Sequence, residues 1–200
     1  LTKLKELEEA GFISRFLPFG NKQKGVYYRV IDEYTLFYLK WIEPIKDSLS
    51  KRGTRPGYWA KQQSTPAWLS WSGLAFESVC YKHLFEISVA LDLSALSLPY
   101  TWRHNPKKAD ADDYGAQIDL LFDRDDDSIS LCEIKYSDSP YVINKAFVDT
   151  ILRKKSVFEK HSKTKKQIFI ALIAANGIKK NHYADELIDG LVTLDDLFKT

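Results

Sequence analysis

Two stretches of this chain hold residue types that could do chemistry together. Gly115-Ala116-Gln117-Ile118-Asp119-Leu120-Leu121-Phe122 and Leu131-Cys132-Glu133-Ile134-Lys135 bracket a short acidic turn. Folding residues 117 to 123 back on 129 to 135 around Asp126 makes an antiparallel hairpin. Asp119 then stands opposite Glu133, and Leu121 opposite Leu131. Directly opposite residues share a face, with Cβ atoms about 5 Å apart. Lys135 lies two positions beyond Glu133 and shares that face too. The other face carries Ile118, Leu120, Phe122, Cys132 and Ile134. Two carboxylates and an ammonium on one side of a ribbon suit metal-assisted hydrolysis of a phosphodiester. Asp119 and Glu133 can hold Mg²⁺ through oxygen while leaving room for water and a phosphate oxygen. The ion supplies hydroxide near neutral pH, and Lys135 can orient the water and offset developing negative charge. The competing reading is a solvated polar face of ordinary strand residues.

Charge is segregated around this pair of strands. The net charge of the 200 residues is only +2, but Asp110 to Asp127 holds eight aspartates and one arginine. Arg153 to Lys166 holds seven basic residues against the single acid Glu159. A carboxylate site beside a cationic surface fits a polyanionic substrate; one solvated turn and one solvated helix face would give the same pattern. Lys154 and Lys155, in the helix expected after the second strand, could reach a phosphate.

The elements that must position these residues are legible from period and punctuation. A composition of 44% hydrophobic and 28% charged residues is that of a globular chain. The longest apolar run, Ile168 to Ala175, is far short of the roughly 20 residues of a membrane-spanning helix. No signal-peptide pattern opens the chain. Without an initiator Met, it reads as a piece of a longer polypeptide, and it is expected in the cytoplasm. Cys80 and Cys132 are too few for a disulfide framework and read as buried thiols in a reducing compartment.

Residues 1 to 10 carry leucines at helical spacing, with Gly11 as the stop. Strands are expected at 12 to 17 and 26 to 31, joined by a turn with Lys22 and Lys24 at its tip. Asp32 caps a helix from about Glu33 to Leu49, kinked by Pro44. Residues 50 to 66 are polar and rich in Pro and Gly, which places a linker there. Trp68 to Leu91 reads as one long helix, with Phe76, Val79, Cys80, His83, Leu84 and Ile87 as its buried stripe. Strands at 117–123 and 129–136, a helix at 143–161, a strand at 167–174, a strand at 190–193 and a short helix at 195–198 complete an α/β fold with a mixed sheet. Trp59, Trp68, Trp71 and Trp102 could stack bases or pack a seam between domains.

Other motifs fail on spacing. Asp123, Asp125 and Asp127 imitate a calcium loop, but Ser128 and Ile134 stand where its Gly and Glu belong. The four histidines show no metal-ligand spacing, and no nucleophile elbow is present. Gly20 and Gly25 have the spacing of a phosphate-binding loop, but Val26-Tyr27 follow in place of Lys and Ser/Thr.

Asp119 followed by Glu133-Ile134-Lys135 resembles the PD-(D/E)xK nuclease signature of the restriction-endonuclease-like fold, with Ile118 in place of the Pro. The resemblance covers residues 67 to 200. It implies a restriction-endonuclease-like mixed β-sheet flanked by helices, and it makes Asp119, Glu133 and Lys135 catalytic, with Mg²⁺ on Asp119 and Glu133. In that family a preceding helix often adds an acid, and Ala75-Phe76-Glu77 offers Glu77. The helix and basic hairpin of residues 1 to 49 resemble the second half of a winged-helix domain, which would set Lys22 and Lys24 against DNA. The whole arrangement, with Trp71-x-Gly73-x-Ala75-Phe76-Glu77, Gln117 to Leu121 and Cys132 to Ser137, resembles the C-terminal part of prokaryotic AAA-type ATPases of the archaeal ATPase group. That resemblance implies an ATP-binding domain upstream, DNA as partner, and either Mg-dependent cleavage or a catalytically silent docking role.

Overall fold

The computed structural model describes residues 2–20, 26–53, 56–106 and 114–199. Lys22 and Lys24, and the acidic residues Asp110, Asp112 and Asp113, lie outside them. The chain divides into two compact units. One comprises residues 1–15 and 28–82, the other residues 16–27 and 83–200.

The first unit holds α1 (Thr2–Glu9), a two-stranded sheet of β1 (Ile13–Phe16) and β2 (Tyr27–Val30), and the helices α2 (Glu33–Phe37), α3 (Lys46–Arg52), α4 (Tyr58–Gln63) and α5 (Pro66–Lys82). Phe16 and Tyr27, at the strand ends, cluster with the second unit. Asp32 caps α2, accepting from the Thr35 amide at 2.6 Å. The expected kink at Pro44 is larger than a bend. A widened turn over Tyr38–Ile42 and a 3₁₀ turn over Glu43–Ile45 separate α2 from α3. Proline has no N–H to give and crowds the carbonyl one turn back, so the α-helical ladder cannot run through it.

The linker expected over 50 to 66 is not one, because α4 occupies its middle. Phe37 explains this: its ring lies 5.5 Å from Trp59, 6.4 Å from Trp68 and 6.0 Å from Trp71. Trp41 adds contacts at 5.2 Å to Trp68 and 5.9 Å to Trp71. This aromatic packing lies within the first unit and outweighs the loop preference of the surrounding Pro and Gly. The long helix expected from Trp68 to Leu91 is broken at His83 (φ −113°, ψ 34°), and the division between the units falls at this break. The boundary is thus at Lys82/His83 rather than between 50 and 66.

The second unit continues with α6 (Leu84–Ala90), β3 (Leu98–His104), β4 (Ala116–Asp123), β5 (Ser128–Lys135), β6 (Tyr141–Val142), α7 (Lys145–Ser162), β7 (Gln167–Ala174), β8 (Ile178–Lys179), α8 (His182–Leu187), β9 (Gly190–Val192) and a closing 3₁₀ turn, Asp195–Phe198. It is mixed α/β, with a five-stranded sheet in the order β3-β4-β5-β7-β9. The first three strands pair antiparallel; β5, β7 and β9 run parallel. A second, two-stranded sheet joins β6 and β8. Strand β3 is an addition to the expected elements: Leu98, Tyr100 and Trp102 alternate as in a strand, but Pro99 inside the run reads locally as a strand breaker.

Helix α7 connects β5 to β7 and covers one sheet face. Its Phe147, Ile151 and Phe158 join Leu121, Ile129, Leu131, Ile170 and Leu172 in one buried cluster. Asn144 starts the helix by accepting from the Phe147 amide at 2.9 Å. The burial of both faces explains the almost continuously apolar sequence of β7, Gln167–Ala174.

Candidate functional site

The hairpin of β4 and β5 has the expected register: Leu120 faces Cys132, Leu121 faces Leu131, Phe122 faces Ser130, and Asp123 faces Ile129. The turn closes with the Arg124 amide donating to the Ser128 carbonyl at 3.0 Å, and Asp127 takes positive φ (58°). The paired ladder stops at Leu120 and Cys132, one step short of Asp119 and Glu133. Past that point β5 follows its parallel neighbour, placing Glu133 beside Leu172 and Lys135 beside Ala174.

Strand β4 also differs from a regular ribbon at Asp119. Its pairing with β3 jumps from Tyr100–Leu121 to Trp102–Ile118, so Asp119 and Leu120 together stand opposite Thr101. A bulge of this kind breaks the alternation and re-aims the side chains beside it. Ile118, expected on the face of Leu120, instead joins Trp102 and Leu121 in the cluster under α7. On the edge side, the Thr101 carbonyl accepts from the Phe19 amide at 2.8 Å.

Glu133 is the center of the site. It is only 3% exposed, and each of its oxygens accepts from a lysine: Lys135 Nζ at 2.7 Å on Oε1 and Lys154 Nζ at 2.6 Å on Oε2. Lys135 is about one-third exposed and Lys154 about one-fifth. A carboxylate this buried needs such partners, because removal from water disfavours its charge. Burial alone would lower the pKa of Lys135, but Glu133 outweighs it, with Tyr141 and Asp119 adding to the effect, and the ammonium is held above its ordinary value. Asp119 therefore acts electrostatically on the same ammonium that Glu133 binds. Its Oδ1 accepts from Gln117 Nε2 at 3.3 Å.

Two residues join the site that the ribbon argument left out or read differently. Lys154, expected as a surface contact to DNA, is instead turned inward to Glu133. The sequence carries a signal for this, since Lys154 stands seven residues after Phe147, three after Ile151 and four before Phe158. That spacing puts it on the buried stripe of α7. Lys155, its neighbour, donates to the Ile168 carbonyl at 3.4 Å and does not join the cluster. Tyr141 is the residue sequence reasoning missed. Burial raises its phenol pKa, Lys135 lowers it and Glu133 raises it further, so its oxygen lies within the field of the pair. Its ring packs at 5.4 Å against Phe147. Nothing in Ser139-Pro140-Tyr141 advertises this; β6 places it by pairing with β8.

Glu77 belongs to the first unit. On α5 its Oε2 accepts from Arg29 at 2.8 Å, and the same guanidinium lies 4.3 Å from the Tyr81 ring centroid. This ion pair lies within the first unit.

The chain matches no known family model, and comparison with curated proteins and with solved structures returns no similar protein. Among the described residues, no helix is long and apolar enough to cross a membrane. Nor do three or more His, Cys, Asp and Glu side chains gather among them as a ready-made metal cage. Carboxylate oxygens such as those of Asp119 and Glu133 are the donor type that a hard cation of the Mg²⁺ class takes. Such an ion is held by one or two carboxylates plus waters and substrate phosphate rather than by a full protein cage.

Proposed function

We propose that the second unit is a restriction-endonuclease-like module that engages the phosphodiester backbone of DNA and cleaves it with Mg²⁺. The observation that carries this reading is the buried Glu133 bound by Lys135 and Lys154, within the electrostatic reach of Asp119. In this reading Asp119 and Glu133 hold the ion, which supplies a water of lowered pKa and neutralises developing charge. Lys135 keeps its proton and directs its ammonium at the attacked phosphate oxygens. Lys154 provides a second ammonium from the helix side, and Tyr141 offers a phenolic O–H to the same space. Glu77 has no part in the reaction. In the same reading, residues 1 to 49 act as part of a winged helix, and the module works together with an AAA-type ATPase domain that carries its own ATP site.

The test is cleavage of supercoiled plasmid DNA with Mg²⁺ or Mn²⁺ by the wild-type chain, Asp119→Ala and Lys135→Ala. Cleavage by wild type and its loss in both variants is the expected result. No cleavage by wild type with either ion overturns the enzymatic reading.

A second reading has its own support. Each Glu133 oxygen accepts from a lysine, as suits a module that docks on DNA and is moved by the ATPase without cutting. Binding without cleavage, weakening as salt rises, is its signature.

A further inference from the structure

The two lysines on Glu133 are not equivalent. Lys135 lies two residues further along the same strand and binds Oε1 at 2.7 Å, so its backbone is fixed to that of Glu133. Lys154 reaches in from α7 and binds Oε2 at 2.6 Å, with its side chain about one-fifth exposed. Each Glu133 oxygen already accepts from a lysine, so a divalent cation drawn to this carboxylate meets an ammonium at either oxygen. One ammonium has to give way, and the one tethered from another element can swing outward along its flexible four-carbon stem.

We infer that Lys154 is a tethered competitor for the divalent cation: it holds Glu133 while no metal is bound and is released when one enters. Metal loading and exposure of a phosphate-binding ammonium then become a single event, so the site gains affinity for a polyanion only once loaded. This inference rests on the metal-dependent reading above and adds a regulatory step to it.

The test uses the 200-residue chain and Mn²⁺ alone, with calorimetric titration of wild type and Lys154→Gln. The amide keeps a donor near Oε2 without the charge. Mn²⁺ binding about tenfold tighter in the variant, a difference of about 1.4 kcal/mol, is the expected result. Equal or weaker binding in the variant overturns the competitor role and leaves the metal site standing. No binding by either protein overturns the metal site, and the inference with it. A measurement on wild type alone guards against a variant that fails to fold. Acetylation of lysines by an amine-reactive reagent, read by mass spectrometry, should rise several-fold at Lys154 when saturating Mn²⁺ is added, with no change at the exposed Lys160. Unchanged labelling of Lys154 at saturation overturns the proposal.

Discussion

Replacing Glu133 by Gln is the most direct probe of the cluster, because it keeps the shape and removes the charge that both lysines face. The carboxylate is 3% exposed and accepts two charge-assisted hydrogen bonds, at 2.7 and 2.6 Å. Each such bond contributes about 1.5–3 kcal/mol. The amide retains one acceptor, so one lysine keeps a bond assisted only by its own charge, and the other lysine faces an NH₂ donor and loses its bond. Lys135 and Lys154 are one-third and one-fifth exposed, so water recovers part of the loss. The expected cost is about 2–4 kcal/mol, below the figure for stranding a fully buried charge. For a chain of this length that is a fall of about 4–16 °C in melting temperature, measured by circular dichroism at neutral pH. The double variant with Lys154→Gln should be less destabilised than the sum of its parts, by about 1 kcal/mol or more. The pH dependence has a definite sign. A lysine whose folded pKa is raised stabilises the fold below its unfolded value, and that contribution fades as pH climbs through the folded value. Lys135 is raised from 10.5, so the gap between wild type and Glu133→Gln should narrow only above about pH 10.5. A stability change under about 0.5 kcal/mol at neutral pH refutes the reasoning, for it would mean that the two lysines do not depend on this charge.

Other groups in the chain give three further expected outcomes. Glu77→Gln should destabilise the first unit by about 1–2 kcal/mol, through the partly buried pair with Arg29, while Mn²⁺ affinity measured by calorimetry stays at the wild-type value. Cys80 and Cys132 are fully buried, and burial pushes the Cys132 thiol far above its ordinary value, so neither should be alkylated by iodoacetamide until urea unfolds the chain. The carboxyl of Asp196 is held at about 2 by Lys199 and by the hydroxyl and amide of Thr193. Its contribution is present above the unfolded pKa and lost as pH falls through the folded one. Asp196→Asn should therefore melt below wild type at pH 7, with the difference shrinking between about pH 4 and pH 2.

How far the amino-acid sequence by itself carried this protein can be judged element by element. Period-2 patterning around one acidic turn determined the hairpin and its register, because a slip of one residue would turn Leu121 and Leu131 out of the core. Apolar continuity determined β7, and a capped helical stripe determined α7. Aromatic packing around Phe37 was not legible, since Pro and Gly in 50–66 are local signals and the contacts that override them span many residues. The break at His83 likewise has no local marker. At the site, the sequence determined which groups could meet: two acids and a lysine around one ribbon. Tertiary structure decided how they meet. The bulge opposite Thr101 ends the regular alternation at Asp119, α7 brings Lys154 onto Glu133, and the pairing of β6 with β8 adds Tyr141. Each of these depends on a partner remote in the chain, and periodicity reports only which face a residue occupies, not what stands across from it.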